Sequence, residues 1–346
     1  MADDVTTPPV AASPASSSTP VESATLAPAR VAGSAPGGRR KSGAAAWRKR
    51  AEITFFVAPA LVLFFLFVVW PIVTAVQISL YKWKGIGPLV DFVGLKNYVS
   101  VLQNNLFTEA LTHNLIIVVA SIAIQLPLGL GIALLLNRKM WGQGLLRTLI
   151  FVPYVLAEVV AGVIWRQLLV PDYGGIDAIA HALHIPTPQQ GFLGTPDLAL
   201  ATVIFVLTWK YLGLAVILFL AGLQGVPEEL YEASQLDGAS WWQVQRKITV
   251  PLLGPTIRTW AFLSMIGALQ VFDMVWILTG GGPVNRTSTM ATFLVYQGTK
   301  SQQFGIASAA SVILFVIALV LAVLYQQTIL RRDTHPDQPR RKKAKR

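Results

Sequence analysis

The sequence predicts an all-α polytopic membrane protein with six transmembrane helices, and three observations point there. Apolar residues make up 53% of the 346 positions while Asp, Glu, Lys and Arg make up only 13%, about half the share of a typical soluble domain. Six stretches reach the roughly 20 mostly apolar residues needed to cross a hydrocarbon core. The basic residues collect in alternate loops and at both ends. A water-soluble enzyme of this length could not hide so much apolar surface in one or two cores.

The elements follow in chain order. Residues 1–50 are rich in Ala, Pro, Ser, Thr and Gly and carry the basic clusters Arg39-Arg40-Lys41 and Arg48-Lys49-Arg50. Such a segment cannot bury enough surface to offset its ordering entropy, and it reads as a disordered basic tail. It is not a secretory leader, because the first long apolar run starts beyond residue 50 and lacks a small-residue cleavage site. The membrane domain occupies 51–330, with spans at about 53–80, 111–136, 148–169, 199–223, 256–278 and 305–330. Pro59, Pro71, Pro127 and Pro153 fall inside them and predict kinked helices whose freed carbonyls are satisfied by neighbours. A second basic tail fills 331–346.

Charge orients the spans. With a cytoplasmic N-terminus, twenty of the twenty-eight Lys and Arg lie in cytoplasmic tails and loops, among them Arg138, Lys139, Arg147, Arg246 and Lys247. Six lie opposite: Lys82, Lys84, Lys96, Arg166, Arg286 and Lys300. Lys210 and Arg258 sit within or at the edge of spans. The positive-inside rule then places both termini in the cytoplasm. The net charge of +11 is a topology signal, and the basic ends suit anionic lipid better than nucleic acid.

The loop 226–255 between the fourth and fifth spans is patterned. Pro227 suits a first helical position, with Glu228 and Glu229 in the first turn where the helix dipole favours them. That helix should stop near Gly238. Ser240-Trp241-Trp242-Gln243 fits a capping box for a second helix that puts Trp241, Val244 and Ile248 on one face until Pro251 intervenes. The result is a compact knob; the competing reading is an amphipathic loop lying on lipid headgroups.

The chain has no cysteine, which removes disulfides, thiolate metal sites and cysteine nucleophiles. It contains no Walker-type phosphate loop, no H-E-x-x-H and no G-x-S-x-G. No catalytic or metal-ligating set is predicted.

Glu232-Ala233-Ser234, then Gly238, then Ile248-Thr249-Val250-Pro251 resembles the EAA loop of bacterial ABC-importer permeases, E-A-A, three residues, G, nine residues, I-x-L-P. Ser234 stands for the second alanine and Val250 for the leucine. Further marks resemble the sugar-importer branch, the maltose and glycerol-phosphate type: Pro59-Ala60, Trp70-Pro71, Gly94-Leu95-Lys96-Asn97-Tyr98, Pro153-Tyr154, Ile164-Trp165-Arg166, and Phe272-Asp273-Met274-Val275-Trp276 followed by Leu278-Thr279-Gly280-Gly281-Gly282-Pro283. The resemblance implies the ABC-importer permease fold. It also implies a second permease subunit, two cytoplasmic ATPase subunits that bind the ATP and Mg absent from this chain, and an extracytoplasmic solute-binding lipoprotein that delivers a carbohydrate. Glu232, Ala233, Ser234, Asp237, Gly238, Ile248 and Pro251 would then dock on an ATPase.

A charge at the bilayer centre costs about 2.5 to 3.5 kcal/mol on insertion scales. Glu158, Lys210 and Asp273 therefore need a reason, and with Gln270 and the aromatic Trp165, Trp209, Tyr211 and Trp276 they are the candidates for a sugar path. The structural alternative pairs Glu158 or Asp273 with Lys210, or lets Lys210 snorkel to an interface. The functional alternatives are an ion-coupled secondary transporter using Glu158, Asp273 and Lys210 as a relay, and a membrane anchor with no transport role.

Overall fold

The computed structural model describes residues 43–330 except Lys139, with the side chains of 43–46, 48–51 and 330 also outside the description. The remainder of the predicted tails, including Arg39, Arg40, Lys41 and the run Arg340 to Arg346, lies outside the described residues. The chain divides into two compact units, Met1–Ala60 and Leu61–Arg346. In the first, residues 43–60 are helical. The predicted tail to residue 50 is thus too long at its inner end, because Ala44-Ala45-Ala46 are strong helix formers.

Among the described residues there is no strand, only an isolated bridge between Tyr81 and Phe92. Among the described residues four helices are long and apolar enough to span a bilayer: α1 Glu52–Ser79, α2 Asn105–Leu136, α5 Pro196–Gln224 and α11 Phe304–Ile329. Two bent pairs raise the number to six, α3 Gln143–Val155 with α4 Glu158–Leu168 at 100°, and α7 Trp241–Leu252 with α8 Gly254–Leu269 at 64°. The shorter helices used below are α6 Glu228–Leu236, α9 Asp273–Leu278 and α10 Met290–Thr299.

Helix α5 is the centre of the second unit. Its most apolar window is 56% buried, against 22% for α2 and 17% for α11, and it packs on α2, α3, α8 and α9. Close approach is built in at Gly213, where a Cβ would stand 2.6 Å from the Ile150 carbonyl oxygen, the small-residue contact usual between membrane helices. By contrast, Phe65, Phe67 and Trp70 on α1 are exposed, as an all-apolar helix facing lipid or a partner would be.

Three prolines are handled in one way. Phe65–Val69, Ser121–Gln125 and Gln245–Thr249 are π turns ending two residues before Pro71, Pro127 and Pro251. A proline lacks its N–H and clashes with the carbonyl four residues back. Here that carbonyl belongs to Phe67, Ala123 or Lys247, each inside a widened turn. The helix therefore continues, and α7 runs past Pro251 to Leu252 instead of ending before it.

Two expected spans are interrupted. The third breaks at Leu156 and Ala157, both extended with ψ near 141° and 142°, and not at Pro153, which stays inside α3. The fifth, expected as one helix over 256–278, stops at Leu269 and restarts at Asp273. Asn114 of α2, fully buried, makes this second break possible. Its Nδ2 donates to the carbonyls of Ala268 (2.7 Å) and Leu269 (3.2 Å), and its Oδ1 accepts from the Met290 N–H at 2.8 Å. One side chain thus satisfies three buried backbone groups on two segments, the end of α8 and the start of α10.

Asn114→Leu keeps the branched outline of the side chain and strands those groups. An unsatisfied buried polar group costs about 1 to 3 kcal/mol, so the detergent-solubilised variant should unfold at a clearly lower temperature than the parent. An unchanged midpoint would mean that the break does not depend on Asn114.

Candidate functional site

A cavity of about 390 Å³ opens between α2, α4, α5, α8 and the break after α8, a size within the usual range for small-molecule sites. Its polar lining is Ser121, Gln125, Glu158, Tyr211, Ser264, Gln270 and Asp273, and its apolar walls include Leu207, Trp260, Leu263 and Phe272. The interrupted helices place these groups. Glu158 opens α4 just beyond the first break, Asp273 opens α9 just beyond the second, and Gln270 occupies the second break itself. Ser121 lies in the π turn of α2 and bonds Ser264 of α8 at 2.5 Å. Trp260 is 2% exposed and its indole N–H meets no acceptor among the described residues.

Four of the eight residues proposed for a path therefore meet at one cavity: Glu158, Tyr211, Gln270 and Asp273. The Tyr211 hydroxyl donates to Glu158. Trp165, Trp209, Lys210 and Trp276 do not line it. Trp165 packs edge-on against Trp209 and Phe205 with centroids 5.3 and 5.4 Å away. Trp276 stacks at 5.4 Å on Phe272, and so backs one wall.

Lys210 answers to neither of its predicted alternatives. It neither pairs with a carboxylate nor snorkels. At 2% exposure its Nζ donates to the carbonyls of Pro153 (2.9 Å), Tyr154 (2.8 Å) and Leu156 (2.6 Å). An ammonium has three protons, and each is used on the open end of α3. The rings of Tyr154 and Tyr211 lie 5.6 and 6.0 Å from it, which adds cation–π attraction. Asn114, Ser121 and Ser264 were not singled out from the sequence. A lone Asn or Ser in an apolar run is too common a pattern to flag.

The patterned loop forms a second feature. Helix α6 ends in a Schellman turn, with the Gly238 N–H on the Gln235 carbonyl and the Ala239 N–H on that of Ser234, both at 3.0 Å, and Gly238 at φ +69° supplies the left-handed residue that such a turn needs. Pro227 takes the N-cap place, one position before the expected one. The Ser240 N–H donates to Gln243 Oε1 at 2.7 Å and the capping box opens α7. Val244 is buried while Trp241 and Ile248 are half-buried. The Arg138 guanidinium covers the Trp241 ring at 4.7 Å. Glu232, Ala233, Asp237, Gly238 and Pro251 are exposed, whereas Ser234 is buried and bonds the Tyr231 carbonyl at 2.7 Å. The tip also exposes Leu236 and Trp242, at 91% and 75%, more apolar surface than a free knob in water needs.

Among the described residues no group of His, Asp or Glu is arranged to hold a metal ion.

Residues 125–335 match the family described as binding-protein-dependent transport system inner membrane component. The chain is 32% identical to the trehalose/maltose transport system permease protein MalF of Thermococcus litoralis over 278 residues, 80% of this chain and 93% of the relative. It is 34% identical to the multiple sugar-binding transport system permease protein MsmF of Streptococcus mutans over 271 residues, 78% and 92% of the two chains. Its fold is similar, at TM-score 0.73 and 22% identity over 83% of this chain and 96% of the other, to a chain in the crystal structure of a bacterial alginate ABC transporter in complex with a periplasmic protein.

The partners of Lys210 predict a split between two variants. Lys210→Met takes the donor from three carbonyls at the open end of α3 and should lower the yield and melting temperature of the folded chain sharply. Glu158→Gln, which can still accept from Tyr211, should leave both close to those of the parent. Equal losses would mean that a Lys210–Glu158 ion pair holds the break after all.

Proposed function

The chain belongs to the binding-protein-dependent transport system inner membrane component family, and we propose that it and a second permease subunit together form the path for a carbohydrate. It is a multi-pass plasma-membrane permease of an ABC importer, not itself a catalytic enzyme. The observation that carries the carbohydrate reading is the cavity. Hydroxyl and amide groups of Ser121, Gln125, Tyr211, Ser264 and Gln270 stand beside the aromatic faces of Trp260 and Phe272, the combination that sugars need. The sugar-permease names of MalF and MsmF support it.

In this reading both termini face the cytoplasm, and two ATPase subunits there bind ATP and Mg. A solute-binding lipoprotein delivers the sugar to the opposite face. The loop 226–255 is the coupling element, with Glu232, Ala233, Asp237 and Gly238 on its exposed side and Leu236 and Trp242 as its apolar tip. Helix α7 continues through one 64° bend into α8, and α8 lines the cavity. ATPase closure that moves the loop therefore moves a wall of the path. The ion-coupled alternative is weakened, because the Lys210 ammonium is committed to carbonyls and is not available as a relay.

Two experiments test this. Gln270→Ala and Asp273→Asn should each reduce uptake at equal expression by about tenfold or more, the loss expected when about 1.4 kcal/mol of binding or gating energy goes; unchanged uptake in both removes them from the path. Gly238→Asp meets open space, since nothing lies within 4 Å of an added Cβ, and costs only the left-handed backbone, about 1 to 2 kcal/mol. The variant should fold yet lose copurification with the ATPase subunits and lose uptake. Intact assembly and uptake would refute the docking role.

A further inference from the structure

We propose that this chain's side of the path excludes anionic solutes and admits neutral or cationic carbohydrates. The inference rests on reading the cavity as the transport path and adds the charge class of what passes. Two carboxylates, Glu158 and Asp273, line the cavity, and no Lys or Arg is among the described residues that do. Three cations on the neighbouring helices α3, α4 and α5 are engaged elsewhere. Lys210 is turned onto the carbonyls of Pro153, Tyr154 and Leu156. Arg147 donates to the Leu136 carbonyl at 3.1 Å. Arg166 lines a separate cleft with Leu169, Pro171 and Gly282.

The partners of the carboxylates do not cancel their charge. Glu158 accepts from Tyr211, a neutral donor; Lys210 lies near enough to feel the charge of Glu158 but gives its hydrogen bonds to carbonyls, so it offsets at most one of the two acids. Each acid stands in the first turn of a helix, α4 or α9, whose end carries at most about half a positive charge. The cavity therefore keeps a net negative field between apolar walls that focus it. A phosphorylated or uronic-acid sugar would bring a like charge into that field with no cation to meet it. A neutral sugar has hydroxyls to donate to Glu158 and Asp273, and an amino sugar gains a counter-charge.

The absence of cysteine from the chain gives a direct measurement. Gly267 lines the cavity with nothing within 4 Å of an added Cβ, so Gly267→Cys places the chain's single thiol on the wall. In native membranes, the rates at which cationic, neutral and anionic methanethiosulfonates modify that thiol report the local field, each rate being divided by its rate with a free small thiol. The cationic reagent should be favoured over the anionic one by about tenfold or more. Glu158→Gln with Asp273→Asn in the same background should bring the ratio close to one. Should the double variant fail to fold, Asp273→Asn alone, at an exposed position, should at least halve it. A parent ratio near one, or one favouring the anion, overturns the proposal while leaving the transport reading in place. A thiol inert to all three reagents from both sides of the membrane would instead remove the cavity from the path, and with it the basis of the proposal.

Discussion

The contact between the Lys210 ammonium and three carbonyls at the end of α3 is the interaction on which the rest of the unit depends. In hydrocarbon a helix cannot simply stop, because its last carbonyls have no water to bond. Here a helix stops, turns by 100° and restarts, and a charge from the central helix α5 answers the open end. Everything that gives the cavity its chemistry follows from that break. Glu158 takes its place because α4 can begin, Tyr211 reaches Glu158 because it is the next residue after Lys210, and the cation that might have neutralised the site is consumed in building it.

The same constraint is met elsewhere by smaller means. At the second break a fully buried Asn114 ties α2 to the end of α8 and the start of α10. Prolines in α1, α2 and α7 are absorbed by π turns without ending their helices. These devices divide the molecule functionally. Bends at capped breaks expose polar residues to the cavity, while π turns carry each helix past its proline, so that displacement at the α6–α7 knob has a single 64° bend to cross before it reaches the cavity wall on α8.

Much of this was legible in the sequence, and the part that was not has a common physical cause. Apolar length gives the spans, because a span must be long and uniform. The loop 226–255 was readable down to its Gly238 stop and its Ser240 capping box, because short-range hydrogen bonds are written in adjacent residues. What could not be read were the breaks at Leu156-Ala157 and Gln270-Val271-Phe272. The residues at those sites have ordinary helical character; what ends the helices is a cap that arrives from more than 50 positions away, Lys210 in one case and Asn114 in the other. Lys210 was flagged for the cost of its charge, but its partners are backbone atoms, which carry no sequence signature. For the same reason the aromatic candidates separated: Trp165 and Trp209 pack on each other behind the wall, and only the register set by the breaks decides which aromatic faces the cavity.

Because α3 and α4 precede α5 in the chain, the open end of α3 emerges from the ribosome before the side chain that closes it. Until residue 210 has entered the bilayer, the carbonyls of Pro153, Tyr154 and Leu156 have no ammonium to receive them, so the bent arrangement of the third hydrophobic segment gains its cap only when the fourth is in place.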